Sequence, residues 1–154
     1  MKANRKGENA METAAKQSAP AHLWAIGTIS LLWNTFGCYD YVMSHVSPAS
    51  YFREMGMNDQ SVAYMQSFPA WLTAFWALGV WGSLAGSVLL LMRSRHAVTA
   101  FALSLLGLAV SQGYQMLVLH PPEDPPAAMV AIIWGALIFF LIYAVQMKKA
   151  GVLR

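Results

Sequence analysis

The sequence predicts an all-α integral membrane protein, an up-down bundle of four transmembrane helices with both termini in the cytoplasm. Three observations support this fold class. Of the 154 residues, 57% are hydrophobic and 11% are charged, whereas a soluble domain carries about 25% charged residues. Four apolar segments are long enough to cross a bilayer, and the basic residues are concentrated on one side of them.

The four apolar segments are the predicted transmembrane helices, here called helices one to four. They cover residues 23–43, 68–92, 97–119 and 127–147. A hydrocarbon core about 30 Å thick takes roughly 20 helical residues to cross. These segments are too long and too continuously apolar for barrel strands, so helices must satisfy their backbone hydrogen bonds in lipid. Short links make helices two, three and four antiparallel neighbours within a domain of residues 22–150.

The distribution of positive charge predicts the orientation. Nine of the ten lysines and arginines lie in the N-terminal tail, in the link between helices two and three, or after helix four. Only Arg53 lies on the opposite side. Because lysine and arginine favour the cytoplasmic side, residues 1–21 are expected to form a disordered cytoplasmic tail. Residues 151–154 form a second cytoplasmic tail, and the loops 44–67 and 120–126 lie outside.

The two outer loops differ in character. Asn58 or Asp59 is expected to cap a short helix that ends near Gln66. Aromatic residues and methionines are expected to hold this loop on the outer membrane surface. They are Tyr51, Phe52, Met55, Met57, Tyr64 and Met65. The 120–126 loop (HPPEDPP) contains four prolines and forms a stiff turn.

Small residues mark the predicted helix contacts. Lipid supplies no hydrophobic drive between helices, so close backbone approach matters. Helix two carries Gly79, Gly82, Ser83, Gly86 and Ser87 on one face. Helix three carries Ala100, Ser104, Gly107, Ser111 and Gln115. We expect these two faces to meet, and the alternative is that one of them binds another subunit.

Polar residues in the outer half of helices one and three are the candidate substrate-binding site, because polar groups in a membrane are costly. The candidates are Asn34, Asp40, Ser111, Gln112, Tyr114 and Gln115. At about 1.5 Å per residue, Asn34 and Ser111 lie at similar depth. The alternative is that these groups bond one another and fix the helix register. In that case Asp40 accepts a hydrogen bond from Tyr114 or pairs with Arg53.

Neither a metal nor another cofactor is expected. The histidines lie at the ends of helices one and three, as His22, His45, His96 and His120. His22 and His45 are about 35 Å apart along a helix, too far for the axial ligands of one haem. An outer metal site would need His45, His120, Glu123 and Asp124, which follow no known ligand spacing.

Common catalytic motifs such as GxSxG, HExxH and the phosphate loop are missing, so we do not expect an enzyme. The formal net charge of +3 comes from residues that flank the apolar segments. It therefore does not indicate nucleic-acid binding. The expected partners are the lipid bilayer and either a second copy of the chain or another membrane protein.

Four strings carry a family resemblance: LWNTFGCYDYVMS at 32–44, FPAW at 68–71, FWALGVWGSLAGSVLLLMR at 75–93 and GVLR at 151–154. Together they resemble a family of small four-helix bacterial inner-membrane proteins of unknown function, some of which carry an automatic "sugar transporter" label. The resemblance implies the location and the helix number. It implies no substrate, and it assigns no catalytic residue to any position of this sequence.

Three functions follow as hypotheses, of which an enzyme or redox protein is the third and ranks last. The first is a non-catalytic accessory or scaffolding subunit, and the second is an oligomeric small-solute transporter. A transporter should contain a continuous polar cavity past the midplane, lined by Asn34, Asp40, Gln112 and Gln115. In a packed scaffold these groups should bond one another and leave no void.

Overall fold

The computed structural model describes residues 19–123 and 125–154, and this part of the chain is all-helical, which confirms the all-α part of the predicted class. The helices are α1 (Ala21–Val46), α2 (Pro48–Glu54), α3 (Asp59–Gln66), α4 (Ala70–Leu91), α5 (His96–Tyr114) and α6 (Ala127–Lys149). A π-helical turn, Gln115–Leu119, continues α5. Nearly all of the predicted tail at residues 1–21 lies outside the described residues.

Within the described ranges, three helices are long and apolar enough to cross a membrane. They are Ala70–Leu91, His96–Leu119 and Ala127–Lys149. The protein is therefore membrane-like in character. Helix α1 is the longest, with 26 residues, but polar side chains such as Asn34 and Asp40 lower its hydropathy. Its crossing of the membrane stays a prediction.

The closest helix packing is between α4 and α5, whose glycines face one another. A Cβ atom added to Gly107 would lie 2.5 Å from the Gly79 nitrogen and 2.6 Å from the Phe75 carbonyl oxygen. The Ser104 hydroxyl donates a hydrogen bond of 2.5 Å to the Gly79 carbonyl. The two backbones touch at this point because neither glycine has a side chain.

Two residues of the predicted small face of helix two contact a different neighbour. Ser83 and Ser87 face α1, where they lie near Asn34. They are each one position beyond Gly82 and Gly86, which turns them by about 100° around the helix. The expectation of a single face against α5 is therefore wrong for these serines, because the small face is wide enough to serve two helices.

The main apolar core lies at the end of the molecule that carries the turn after α4, here called the inner end. Leu23, Leu90, Phe101 and Phe140 come from the four long helices and are buried there. Residues 151–154, expected as a tail, are docked on this core. Val152 and Leu153 are buried, and the Arg154 backbone exchanges two hydrogen bonds with residues 93 and 95.

The opposite, outer end is closed by α2 and α3, where the sequence predicted one short helix. Asn58 is the N-cap of α3, and its side chain accepts a hydrogen bond of 2.8 Å from the Ser61 backbone nitrogen. Tyr51, Phe52 and Val62 are buried together between the two short helices. Tyr51 and Phe52 therefore pack inward, whereas Met55 is exposed, and the contact of this loop with the membrane surface stays a prediction.

Candidate functional site

A cavity of about 370 Å³ lies among the four long helices, below α2 and α3. Small-molecule sites have volumes of about 300 to 1,000 Å³. Its walls are mostly apolar and include Trp33, Phe36, Trp76, Leu108, Ile133 and Leu137. Phe52, Met55, Met57 and Met65 line it from the loop. Methionine side chains are flexible and adapt to ligands of irregular shape.

The cavity exists because α1 and α6 separate toward the outer end. Helix α1 packs along α4, and α6 packs along α5. At the inner end α1 and α6 meet, where His22 Nδ1 lies 2.6 Å from the Tyr143 hydroxyl. Further out, Phe36 and Met129 line the cavity and are more than half exposed. The gap between α1 and α6 is thus a lateral opening.

An empty cavity of this kind is costly. Atoms that line an unfilled volume lose packing contacts, because they have no partner atoms on one side. The volume of about 370 Å³ opens to the side between α1 and α6, so a lipid chain or another apolar molecule can enter it. The volume is therefore expected to be occupied in the membrane.

Asn34 forms the main polar contact between α1 and α4. Its Nδ2 donates to the Ser87 hydroxyl at 2.8 Å, to the Ser83 carbonyl at 3.3 Å and to the Ser30 hydroxyl at 3.3 Å. Ser30 and Ser87 are bonded to each other at 2.7 Å. This network joins α1 to α4, whereas the structural interpretation expected Asn34 to bond the other candidate site residues.

Asp40 bonds to the outer loop. Its Oδ1 accepts a hydrogen bond of 2.7 Å from the Tyr51 hydroxyl. The two predicted partners are wrong: Arg53 pairs with Asp59 at 2.9 Å, and the Tyr114 ring lies edge-on to Trp71. The fold of α2 against the end of α1 brings Tyr51 closer than either of them.

The Tyr51–Asp40 contact predicts a measurable pH dependence. Burial of Tyr51 and its hydrogen bond to Asp40 raise the tyrosine pKa to about 12. Since an unperturbed tyrosine has a pKa of about 10, the contact contributes stability below that pH and loses it as pH rises toward 12. Alkaline titration of the tyrosinate absorbance should show a transition near 12 that Tyr51→Phe removes.

The matched variant in this titration is Asp40→Asn, which removes the charge and keeps the side-chain size. It should lower the pKa of Tyr51 without returning it to the ordinary value, because burial remains. A transition that persists in Tyr51→Phe would contradict the assignment to this residue.

The structure separates the six predicted site residues into two groups. Asn34, Asp40 and Ser111 line the cavity. Gln112, Tyr114 and Gln115 do not: Gln112 Oε1 accepts a hydrogen bond from Trp134 Nε1, and Gln115 Nε2 donates to the Ser111 carbonyl at 3.2 Å. Sequence reasoning missed the loop methionines as part of the site. Their signal was the apolar character of an otherwise external loop.

The polar side chains of the site are largely bonded within the protein. Over residues 19–123 and 125–154, the Tyr64 hydroxyl is the one buried side-chain polar atom without a hydrogen-bond partner. The same part of the chain contains no group of three His, Cys, Asp or Glu side chains arranged to hold a metal ion. Asp124, named in the conceivable outer metal site, is outside the described residues.

Comparisons with protein-family models, with curated proteins and with solved structures found no match. The resemblance to small four-helix inner-membrane proteins therefore stays a prediction.

Proposed function

We propose that this chain is a non-catalytic, multi-pass protein of the bacterial inner membrane that binds one small apolar or amphipathic molecule taken from the outer leaflet. The observation that carries the proposal is the apolar cavity of about 370 Å³ with a lateral opening between α1 and α6. A ligand in this position removes the cost of the void. Such a binding protein suits an accessory role beside a larger membrane assembly.

The proposal includes four spans with both termini in the cytoplasm. Helix α1 is 26 residues long, or about 39 Å at 1.5 Å per residue, which is enough for a bilayer core. It runs beside α4, a helix that meets the hydropathy expected of a span. The turn after α4 and the C-terminal residues carry most of the described basic side chains, which favours the cytoplasm for the inner end.

Reporter fusions test this topology. A reporter that is active only in the cytoplasm should work at both termini, and a periplasmic reporter should work when inserted after Gly56, between α2 and α3. Termini on opposite faces would contradict the four-span arrangement and place the lateral opening in a different leaflet.

A cavity-filling variant tests ligand binding. Gly37 lines the cavity, and a Cβ atom added there has one neighbour, Val80 Cγ1 at 4.0 Å. Gly37→Leu is therefore expected to fill the cavity while the protein still folds. Native mass spectrometry after purification in mild detergent should show a small molecule bound to the wild type. In Gly37→Leu about 80% or more of this bound molecule should be lost, since the leucine occupies its space.

The matched control is Gly135→Leu on α6, where an added Cβ atom has no neighbour within 4 Å and the residue does not line the cavity. It should keep the bound molecule. A wild-type protein that carries nothing, or a molecule that remains in Gly37→Leu at full occupancy, would contradict the proposal.

Small-solute transport by an oligomer is the second candidate, favoured by Asn34, Asp40 and Ser111 on the cavity wall. A path to the inner side would have to pass the buried cluster around Leu23, Phe101 and Phe140. Uptake into vesicles that contain the purified protein would support transport, and Asp40→Asn should then reduce it. Uptake that is unchanged in this variant would remove Asp40 from the transport site.

A further inference from the structure

We infer that the molecule bound in the cavity has an apolar body and a polar end that donates hydrogen bonds, such as a hydroxyl group. This inference rests on the proposed function and names the chemistry of its ligand. It comes from the hydrogen-bonding state of six polar side chains that line the cavity: Asn34, Asp40, Ser44, Ser83, Ser104 and Ser111.

The four serines have already used their donor hydrogens. Ser44 donates to the Asp40 carbonyl at 2.7 Å, and Ser83 donates to the Val80 carbonyl at 2.9 Å. Ser104 donates to the Gly79 carbonyl, and Ser111 to the Leu108 carbonyl. A hydroxyl has one donor hydrogen and two acceptor lone pairs. None of the four has a spare hydrogen for a ligand, and because Ser104 is fully buried, the acceptor oxygens that can face the cavity are those of Ser44, Ser83 and Ser111.

Asn34 presents an acceptor for the same reason. Its Nδ2 contacts the Ser83 carbonyl oxygen, which accepts only, and so the orientation of the amide is fixed. The Nδ2 hydrogens are directed to Ser30, Ser83 and Ser87. No described residue donates a hydrogen bond to Asn34 Oδ1. This oxygen is also not one of the fully buried side-chain atoms that lack a hydrogen-bond partner, so it is accessible. The Asn34 Oδ1 thus lies open to the cavity as an acceptor.

Asp40 is the third type of acceptor. Its Oδ1 is bonded to Tyr51, and an ionised carboxylate accepts through both oxygens. Asn34 and Asp40 are six residues apart on α1, or about 9 Å along the helix axis. Acceptors therefore occur at two depths of one apolar cavity. A ligand with acceptors only would leave them unpaired, and a carboxylate ligand would also meet the charge of Asp40.

A series of three probes with the same alkyl chain tests the inference. They are a long-chain primary alcohol, its methyl ether and the corresponding carboxylate, each with a bromine atom at the far end of the chain. Bromine quenches tryptophan fluorescence on contact, and Trp33 and Trp76 line the cavity. The wild-type protein is placed in phosphatidylcholine nanodiscs, and the quenching that Gly37→Leu abolishes is taken as cavity binding. Ile133→Phe, on the α6 wall of the cavity, replaces Gly37→Leu if that variant does not fold, because it adds bulk without adding a tryptophan.

The alcohol should half-saturate the cavity-dependent quenching at a concentration about tenfold lower than the ether, the ratio expected for one hydrogen bond. The carboxylate should bind more weakly than both. Equal binding of alcohol and ether, or tightest binding of the carboxylate, would overturn the inference and leave the proposed function in place. If none of the three probes produces cavity-dependent quenching, the proposed function itself is wrong.

Discussion

Replacing Gly107 with alanine is expected to destabilise the protein by about 2 to 3 kcal/mol, at the upper end of the cost of overpacking. The added methyl group would lie 2.5 Å from the Gly79 nitrogen and 2.6 Å from the Phe75 carbonyl oxygen. Both are backbone atoms, so no side chain can rotate away and α4 and α5 must separate. Thermal unfolding in mild detergent, followed by circular dichroism, should show a Tm lower by about 5 to 10 °C.

Gly113→Ala is the matched control for this variant. It lies on the same helix, and an added Cβ atom has no neighbour within 4 Å. Because alanine favours a helix over glycine by about 0.5 to 1 kcal/mol, Gly113→Ala should leave the Tm unchanged or raise it slightly. Equal Tm values for Gly107→Ala and Gly113→Ala would show that α4 and α5 are not in backbone contact.

The helix boundaries and the α4–α5 contact could be anticipated because both depend on local patterns. Long apolar runs predict helices in lipid, and a glycine every three or four residues predicts a face that allows close approach. Gly79 and Gly107 belong to such faces, and the short link between the helices brings the faces together. The sequence could not show which neighbour Ser83 would face, because a helix with small residues over a wide arc has two equivalent ways to pack.

The partner of Asp40 was not predictable for a different reason. The sequence places Asp40 near the outer end of α1, but the choice between Tyr51, Arg53 and Tyr114 depends on how α2 folds back after Ser47. Tyr51 and Arg53 are two positions apart on α2, so they point to different sides of this short helix. A rotation of α2 that no local pattern fixes therefore decides which side chain reaches the carboxylate.

The observed cavity matches neither of the two expectations for the interior of the protein. A transporter was expected to contain a polar void, and a scaffold was expected to contain bonded polar groups without a void. The structure combines bonded polar groups with a mostly apolar cavity. Such a cavity results from a contact that α1 and α6 do not make at the outer end, and these helices are far apart in sequence. No pattern within either segment records that separation.

Replacing Asn34 with leucine is the second test with a large expected effect, because the Asn34 side chain donates two hydrogen bonds from α1 to α4. The substitution removes three hydrogen bonds, two of which join the helices. Hydrogen bonds between membrane helices contribute on average about 0.6 kcal/mol each, and up to about 1.7. We expect a loss of about 1 to 2 kcal/mol, since Ser30 and Ser87 can remain bonded to each other.

The single cysteine offers a local measurement of this loss. Cys38 is buried between the same two helices, and its sulfur donates to the Val80 carbonyl at 3.4 Å. A small thiol reagent reaches it only when α1 moves away from α4. Asn34→Leu should therefore raise the rate of labelling about tenfold, the equivalent of about 1.4 kcal/mol.

Thr35→Val is the control, because the Thr35 hydroxyl bonds only to the Leu31 carbonyl of its own helix and is exposed. It should leave the labelling rate within about twofold of the wild type, since exposed substitutions change stability by about 0.5 kcal/mol or less. An equal increase in both variants would mean that α1 opens by local fraying of its own helix, and that the Asn34 network does not hold α1 against α4.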